Sequence, residues 1–107
     1  NLVKNAIEAM ERGGKISIQS RLSGDKVEIM VTDQGCGISE QDRDKVFSPF
    51  FTTKKHGTGL GLCISKRIIE DHRGSSFSLK SEEGKGTTFK IRLPLYRGAL
   101  EGSARNN

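Results

Sequence analysis

The chain has 107 residues, 33% hydrophobic and 29% charged, with 18 basic against 13 acidic side chains and a net charge of +5. That length suits one domain with a single modest core. No apolar run approaches the roughly 20 residues of a membrane span, and the start does not read as a signal peptide. Basic residues are scattered except at Lys54-Lys55 and Lys66-Arg67, and aromatics make up 6%. Without basic–aromatic alternation there is no stacking platform, so neither nucleic acid nor membrane contact is expected of this domain. The positive surface suits an anionic nucleotide instead. Cys36 and Cys63 have no metal-site spacing and read as small buried residues in a reducing compartment. A cytoplasmic location is expected, whether or not a parent protein is membrane-anchored.

In chain order, Leu2, Val3, Ala6, Ile7 and Met10 recur at three-four spacing and predict a helix over 1–12, stopped by Gly13-Gly14. Ile16, Ile18 and Leu22 alternate with polar residues, as expected of a half-buried strand, and Ser23-Gly-Asp25 predicts a hairpin turn. Val27, Ile29, Val31 and Asp33 share the next strand's inward face. A carboxylate at the end of a core-facing row needs a partner, because burying an unpaired polar group costs several kcal/mol.

A short helix is expected over 39–47 with Ser39 as its N-cap. Ser48 to Thr58 has little periodic pattern and reads as a loop. A second long helix is predicted from about Gly59 to Arg73, burying Leu60, Cys63, Ile64, Ile68 and Ile69 and ending at Gly74. Phe77 and Leu79 alternate in a third strand. Thr87, Phe89, Ile91 and Leu93 share one face of a fourth, which Pro94 ends. Residues 1–94 thus form the domain, and 95–107 lack pattern and read as a flexible tail. Helices combined with one-sided, mostly antiparallel strands imply an α+β fold, a two-layer sandwich.

Four short segments carry the chemistry: Asn1-Leu-Val-Lys-Asn-Ala6, Asp33-Gln-Gly-Cys-Gly-Ile38, Gly57-Thr-Gly-Leu-Gly-Leu62 and Gly84-Lys-Gly-Thr-Thr-Phe89. Between the second and third lies Phe47-Ser-Pro-Phe-Phe-Thr-Thr-Lys54. In this order they resemble the asparagine, glycine and phenylalanine boxes of the ATP-binding catalytic domain of bacterial sensor histidine kinases. That domain belongs to the superfamily of the gyrase, mismatch-repair and heat-shock-chaperone ATPases. The resemblance covers Asn1 to Pro94. It implies a Bergerat-type fold, and since two strands usually precede the asparagine-box helix in that family, the chain is expected to be N-terminally truncated. It also implies two-component signalling: the domain binds Mg-ATP and donates the γ-phosphate to a histidine on an upstream dimerisation domain, and the full-length kinase serves a response regulator. The phosphoacceptor histidine lies outside this chain. His56 and His72 lack a suitable carboxylate neighbour and read as structural.

On this resemblance, Asp33 accepts from the adenine amine and selects ATP over GTP, since guanine presents an acceptor there. The alternative for Asp33 is an aspartate capping a turn. Gly35, Gly37 and Ile38 place backbone against the base, and Thr87 completes the hydrogen bonds or is a plain strand residue. Asn5, helped by Asn1 one turn earlier, offers amide oxygen to Mg²⁺. Gly57, Thr58, Gly59, Leu60, Gly61 and Leu62 form a glycine-rich helix start suited to phosphate, with charge from Lys54. Phe47, Phe50 and Phe51 read as hinges and plugs of a lid. Asn1 stands where the ATPase branch has a water-activating glutamate, and an amide cannot act as a general base. This argues against efficient hydrolysis, and because the acceptor histidine lies outside the chain, the fragment alone is expected not to phosphorylate itself. Other readings are a conformational ATPase, a serine kinase, or a non-catalytic interaction module.

Overall fold

In the computed structural model, residues 1–52 and 60–95 are described. Four strands form one antiparallel sheet in the order β1-β2-β4-β3: β1 (Ile16–Ser23), β2 (Lys26–Asp33), β3 (Ser76–Glu82) and β4 (Gly86–Pro94). Three helices accompany them, α1 (Leu2–Ala9), α2 (Glu40–Arg43) and α3 (Gly61–Glu70). The fold is α+β, as expected.

The two central strands are held in register by their apolar rows. Val27 pairs with Leu93, Ile29 with Ile91, Val31 with Phe89 and Asp33 with Thr87. Side chains alternate between faces, so all eight lie on the same side of the sheet. Slipping β4 by one residue would turn this whole set outward. β3 adds Phe77 and Leu79 opposite Ile91 and Phe89. The rings then build a core: Phe77 stacks on Phe89 at 5.6 Å, Phe47 meets Phe77 edge-on at 5.4 Å, and the Lys66 ammonium sits 5.0 Å from the centre of the Phe47 ring.

Several boundaries and faces differ from the sequence expectation. α1 ends at Ala9, not residue 12, because the chain turns at Met10 before Gly13 and Gly14, both at positive φ. It rests on buried Ala6 and leaves Val3 and Ile7 exposed. α2 is a single turn; Ser39 caps it as predicted, its hydroxyl accepting from Asp42 N. α3 runs from Gly61 to Glu70 and buries Ser65 and Ile69, while Ile64 and Ile68 face outward. Ser65 and Ile69 face the domain in place of the expected Ile64 and Ile68. β1 is a strand, but Ile18 and Leu22 are 61% and 68% exposed. Cys36 is exposed and Cys63 half-buried, so neither is the buried thiol expected.

Candidate functional site

The end of β2 turns into the first glycine segment, and Asp33 stands at that turn. It is 6% exposed. Gly35 N donates to its Oδ1 at 2.8 Å. Its Oδ2 makes no hydrogen bond among the described residues. Across the β2–β4 pairing stands Thr87, also buried. An acceptor and a hydroxyl thus share one face at the sheet's end, with one carboxylate oxygen available to a donor.

Thr87 is not alone. Its hydroxyl lies 2.8 Å from that of Ser81, which also donates to Gly86 O at 3.0 Å and accepts from Ile38 N at 2.7 Å. Ser81 therefore ties the first glycine segment to the β3–β4 hairpin. Arg43 of α2 donates to the Ser81 carbonyl as well. Neither residue stands out in the sequence motifs. Ser81 could have been found as the next inward position after Phe77 and Leu79, since the strand alternation continues to it.

The glycines of Asp33-Gln-Gly-Cys-Gly-Ile38 have a reason that the expectation of backbone lying against a base did not include. A Cβ on Gly35 would lie 2.5 Å from Ala9 O, and one on Gly37 would lie 2.2 Å from Glu82 O, at a φ of +72°. Cys36 N donates to Ala9 O at 3.2 Å and Gly84 N donates to Cys36 O at 2.7 Å. The loop is clamped between the end of α1 and the β3–β4 turn, and only glycine fits at these two contacts.

On the other side of α1, Asn1 reaches the start of α3. Its Nδ2 donates to Ser65 Oγ at 3.2 Å and approaches Gly61 O at 3.4 Å, while Ser65 Oγ itself donates to Gly61 O at 2.8 Å. This links the asparagine segment to Gly61 of the second glycine segment and fixes the Asn1 amide by its nitrogen, so its oxygen is the atom left for a cation. Asn5 N donates to Asn1 O at 2.9 Å, one turn along the helix. Leu60 and Leu62 are half-buried at the start of α3. Lys54, Gly57, Thr58, Gly59 and His56 lie outside the described residues.

Of the lid aromatics, Phe47 belongs to the core described above, Phe51 lines a cavity of about 230 Å³ with Cys36, Gly37 and Ile38, and Phe50 is exposed with a φ of +68°. A larger, open cavity of about 470 Å³ touches Asp33, Thr87, Gly86 and Ser81. His72 Nδ1 lies 2.9 Å from Ile68 O near the end of α3, a structural contact. Among the described residues no cluster of histidine, cysteine and carboxylate side chains could hold a metal by itself. Any cation here would rely on amide oxygens, water and a ligand's own phosphates, which suits a hard ion such as Mg²⁺. Among the described residues no helix is long and apolar enough to cross a membrane.

Known proteins share this fold. The family described as histidine kinase-, DNA gyrase B-, and HSP90-like ATPase matches residues 1–97. Sporulation kinase E of Bacillus subtilis (strain 168) is 47% identical over 102 residues, covering 94% of this chain and 14% of that protein. Sensor histidine kinase ZraS of Escherichia coli (strain K12) is 47% identical over 95 residues, 89% of this chain and 20% of that protein. The chain thus spans a small part of these relatives. Among solved structures, the catalytic domain of histidine kinase ThkA superposes with a TM-score of 0.75 at 46% identity, over 87% of this chain and 60% of that one. Full-length ShkA in complex with AMPPNP gives a TM-score of 0.76 at 29% identity, over 87% of this chain and 19% of that one.

Proposed function

This chain belongs to the histidine kinase-, DNA gyrase B- and HSP90-like ATPase family, and from that premise we propose that it is the part of a histidine kinase that binds Mg-ATP and presents the γ-phosphate to a histidine elsewhere in the parent protein. The observation that carries this reading is Asp33: a buried carboxylate with one oxygen held by Gly35 N, the other uncommitted among the described residues, and Thr87 opposite. Such an acceptor favours the exocyclic amine of adenine and repels the guanine oxygen. The sensor-kinase names of the relatives, and the ATP analogue in the ShkA complex, support the same substrate.

In this reading Ile38 and the backbone about Gly35 and Gly37 border the base, while Gly57, Thr58, Gly59, Leu60, Gly61 and Leu62 with Lys54 surround the phosphates. Asn5 and Asn1 would hold Mg²⁺, which supplies charge neutralisation for the polyphosphate. Phosphoryl transfer depends mainly on positioning and electrostatics, so a domain without a general base can still be the catalytic one. Asn1 is such a non-basic residue, and its amide nitrogen is already committed to Ser65. These points favour transfer to an external acceptor over hydrolysis. The partners are then an upstream dimerisation and phosphoacceptor domain and, through the whole kinase, a response regulator.

Incubation with γ-labelled ATP tests this. The chain alone should remain unlabelled and release little phosphate. Joined to the helical domain of its parent protein, it should yield an acid-labile, base-stable phosphohistidine. Label on the 107 residues alone would contradict the division of labour, and rapid phosphate release without label would favour the ATPase branch. Replacing Asn5 by alanine should diminish the gain in ATP affinity on adding Mg²⁺ and spare metal-free ADP binding; an unchanged gain would remove Asn5 from the metal site.

A further inference from the structure

The sheet has a second face, opposite Asp33 and the aromatic core, and it is basic. By register its strand residues include Arg21, Lys26, Lys80, Lys90 and Arg92, against the acids Glu28 and Glu82. Of these acids Glu82 is exposed at the edge of the face and Glu28 is buried at its centre. Glu82 pairs with Lys85 at 3.2 Å. Glu28 is 4% exposed, beneath three cations: Arg21 Nε at 2.6 Å, Arg92 Nε at 3.1 Å and Lys90 Nζ at 3.9 Å. The hydrogen bond from Arg21, aided by the other two charges, holds the Glu28 carboxyl below its ordinary value of 4.5 against the opposing effect of burial.

One buried carboxylate thus gathers three basic side chains, with a hydrogen bond from Arg21 and ion-pair contacts from Arg92 and Lys90, and neutralises only one of them. The Arg21 side chain remains 60% exposed and that of Arg92 42%. Their positions are set by the sheet. Arg21 and Arg92 flank Glu28 on neighbouring strands, about 10 Å apart across two strand spacings, and Lys90 follows Arg92 about 7 Å along the strand. Carboxylates on alternate residues of an extended peptide recur at the same interval of about 7 Å. Guanidinium groups take carboxylates with two parallel hydrogen bonds and are less strongly hydrated than ammonium groups. Anchoring them beforehand also reduces the ordering cost of binding.

We propose that this open face is a docking surface for an acidic polypeptide segment, with Arg21, Lys90 and Arg92 as its centre and Lys80 at its flank. The chemistry favours polypeptide over nucleic acid or lipid. Phe77 and Phe89 point to the opposite face, so among the described residues no aromatic ring on this one offers a base a stacking partner. Met30 is its central apolar residue, with Ser76 and Ser78 exposed around the cations, so nothing here would insert among acyl chains. Because the surface lies across the sheet from Asp33, it does not depend on the nucleotide reading.

The test is fluorescence anisotropy on the whole chain with a labelled decapeptide alternating Glu and Ser. The comparison ligands are a Lys-Ser decapeptide, a single-stranded oligothymidine and vesicles containing phosphatidylserine. The acidic peptide should bind at low salt, weaken as salt rises, and outbind the other three. Arg92→Gln should weaken it severalfold. Since that change also disturbs the anchor of Glu28, a second variant, Ser78→Glu, places a negative charge directly opposite Lys90, leaves Arg21, Glu28 and Arg92 unchanged, and should weaken binding by a similar factor. Thermal unfolding confirms that each variant is folded, and ATP affinity should stay constant in both. Equal or tighter binding of oligothymidine or vesicles, no binding of the acidic peptide, or unchanged affinity in Ser78→Glu would each overturn the proposal.

Discussion

Phe89 on β4 is 5% exposed, whereas Ile18 and Leu22 on β1 are 61% and 68% exposed, although both strands alternate apolar and polar residues and both apolar rows face the same side of the sheet. The difference lies in the layer above. Phe47 packs on Phe77, Phe77 stacks on Phe89, and α3 lies against β3, while α1 sits mainly over β2 and, among the described residues, no helix lies across the far half of β1. The apolar row of a strand therefore marks its inner side without guaranteeing a cover. The well-covered part is also where Asp33, Thr87 and Ser81 meet, so the proposed site is built on the packed side of the domain, as a site that must hold its groups in place requires.

The contrast can be broken by substitution. Phe89→Ala removes a ring from the closed side and should cost about 3–5 kcal/mol of stability in denaturant unfolding. A loss near zero would mean that the aromatic core is not what holds β3 and β4. Gly37→Ala forces a Cβ against Glu82 O at positive φ and should cost about 1–3 kcal/mol while loosening the Asp33 loop. Unaltered stability would mean the loop is not clamped there.

Glu28 offers a gentler probe, on the opposite face. Its folded pKa lies below 4.5, so the stability it contributes is present above that value and fades as pH falls through the folded pKa. Glu28→Gln should thus be less stable than the parent near neutral pH, with the gap narrowing in acid. A gap independent of pH would show that the three cations do not depend on its charge. On the open side, Leu22→Ser should change stability by no more than about 0.5 kcal/mol. A loss comparable to that of Phe89→Ala would show that β1 is covered after all.

Much of the well-packed half was legible in the sequence. The alternation through Val27, Ile29, Val31 and Asp33, and through Thr87, Phe89, Ile91 and Leu93, predicts which face each strand buries, and the register brings Asp33 opposite Thr87 as those rows imply. The reading failed where burial depends on partners distant in sequence. Ile64 and Ile68 of α3 look like core but face outward, because the side of α3 that carries Gly61 and Ser65 is the one that receives Asn1. Ser81 and Arg43 went unnoticed because their contacts span 43 and 38 residues and have no motif of their own. The glycines of the first glycine segment were recognised, but their need is set by Ala9 and Glu82, which no local pattern could reveal.

Asp33 carries the account, and nucleotide choice tests it most directly. Calorimetry of ATP and GTP binding to the parent chain and to Asp33→Asn should find ATP well ahead of GTP in the parent, with ATP weakened by about 2 kcal/mol or more in the variant, since an amide turned toward adenine disrupts a buried donor–acceptor pair. Equal affinity for the two nucleotides in the parent, or full ATP affinity in Asp33→Asn, would contradict it.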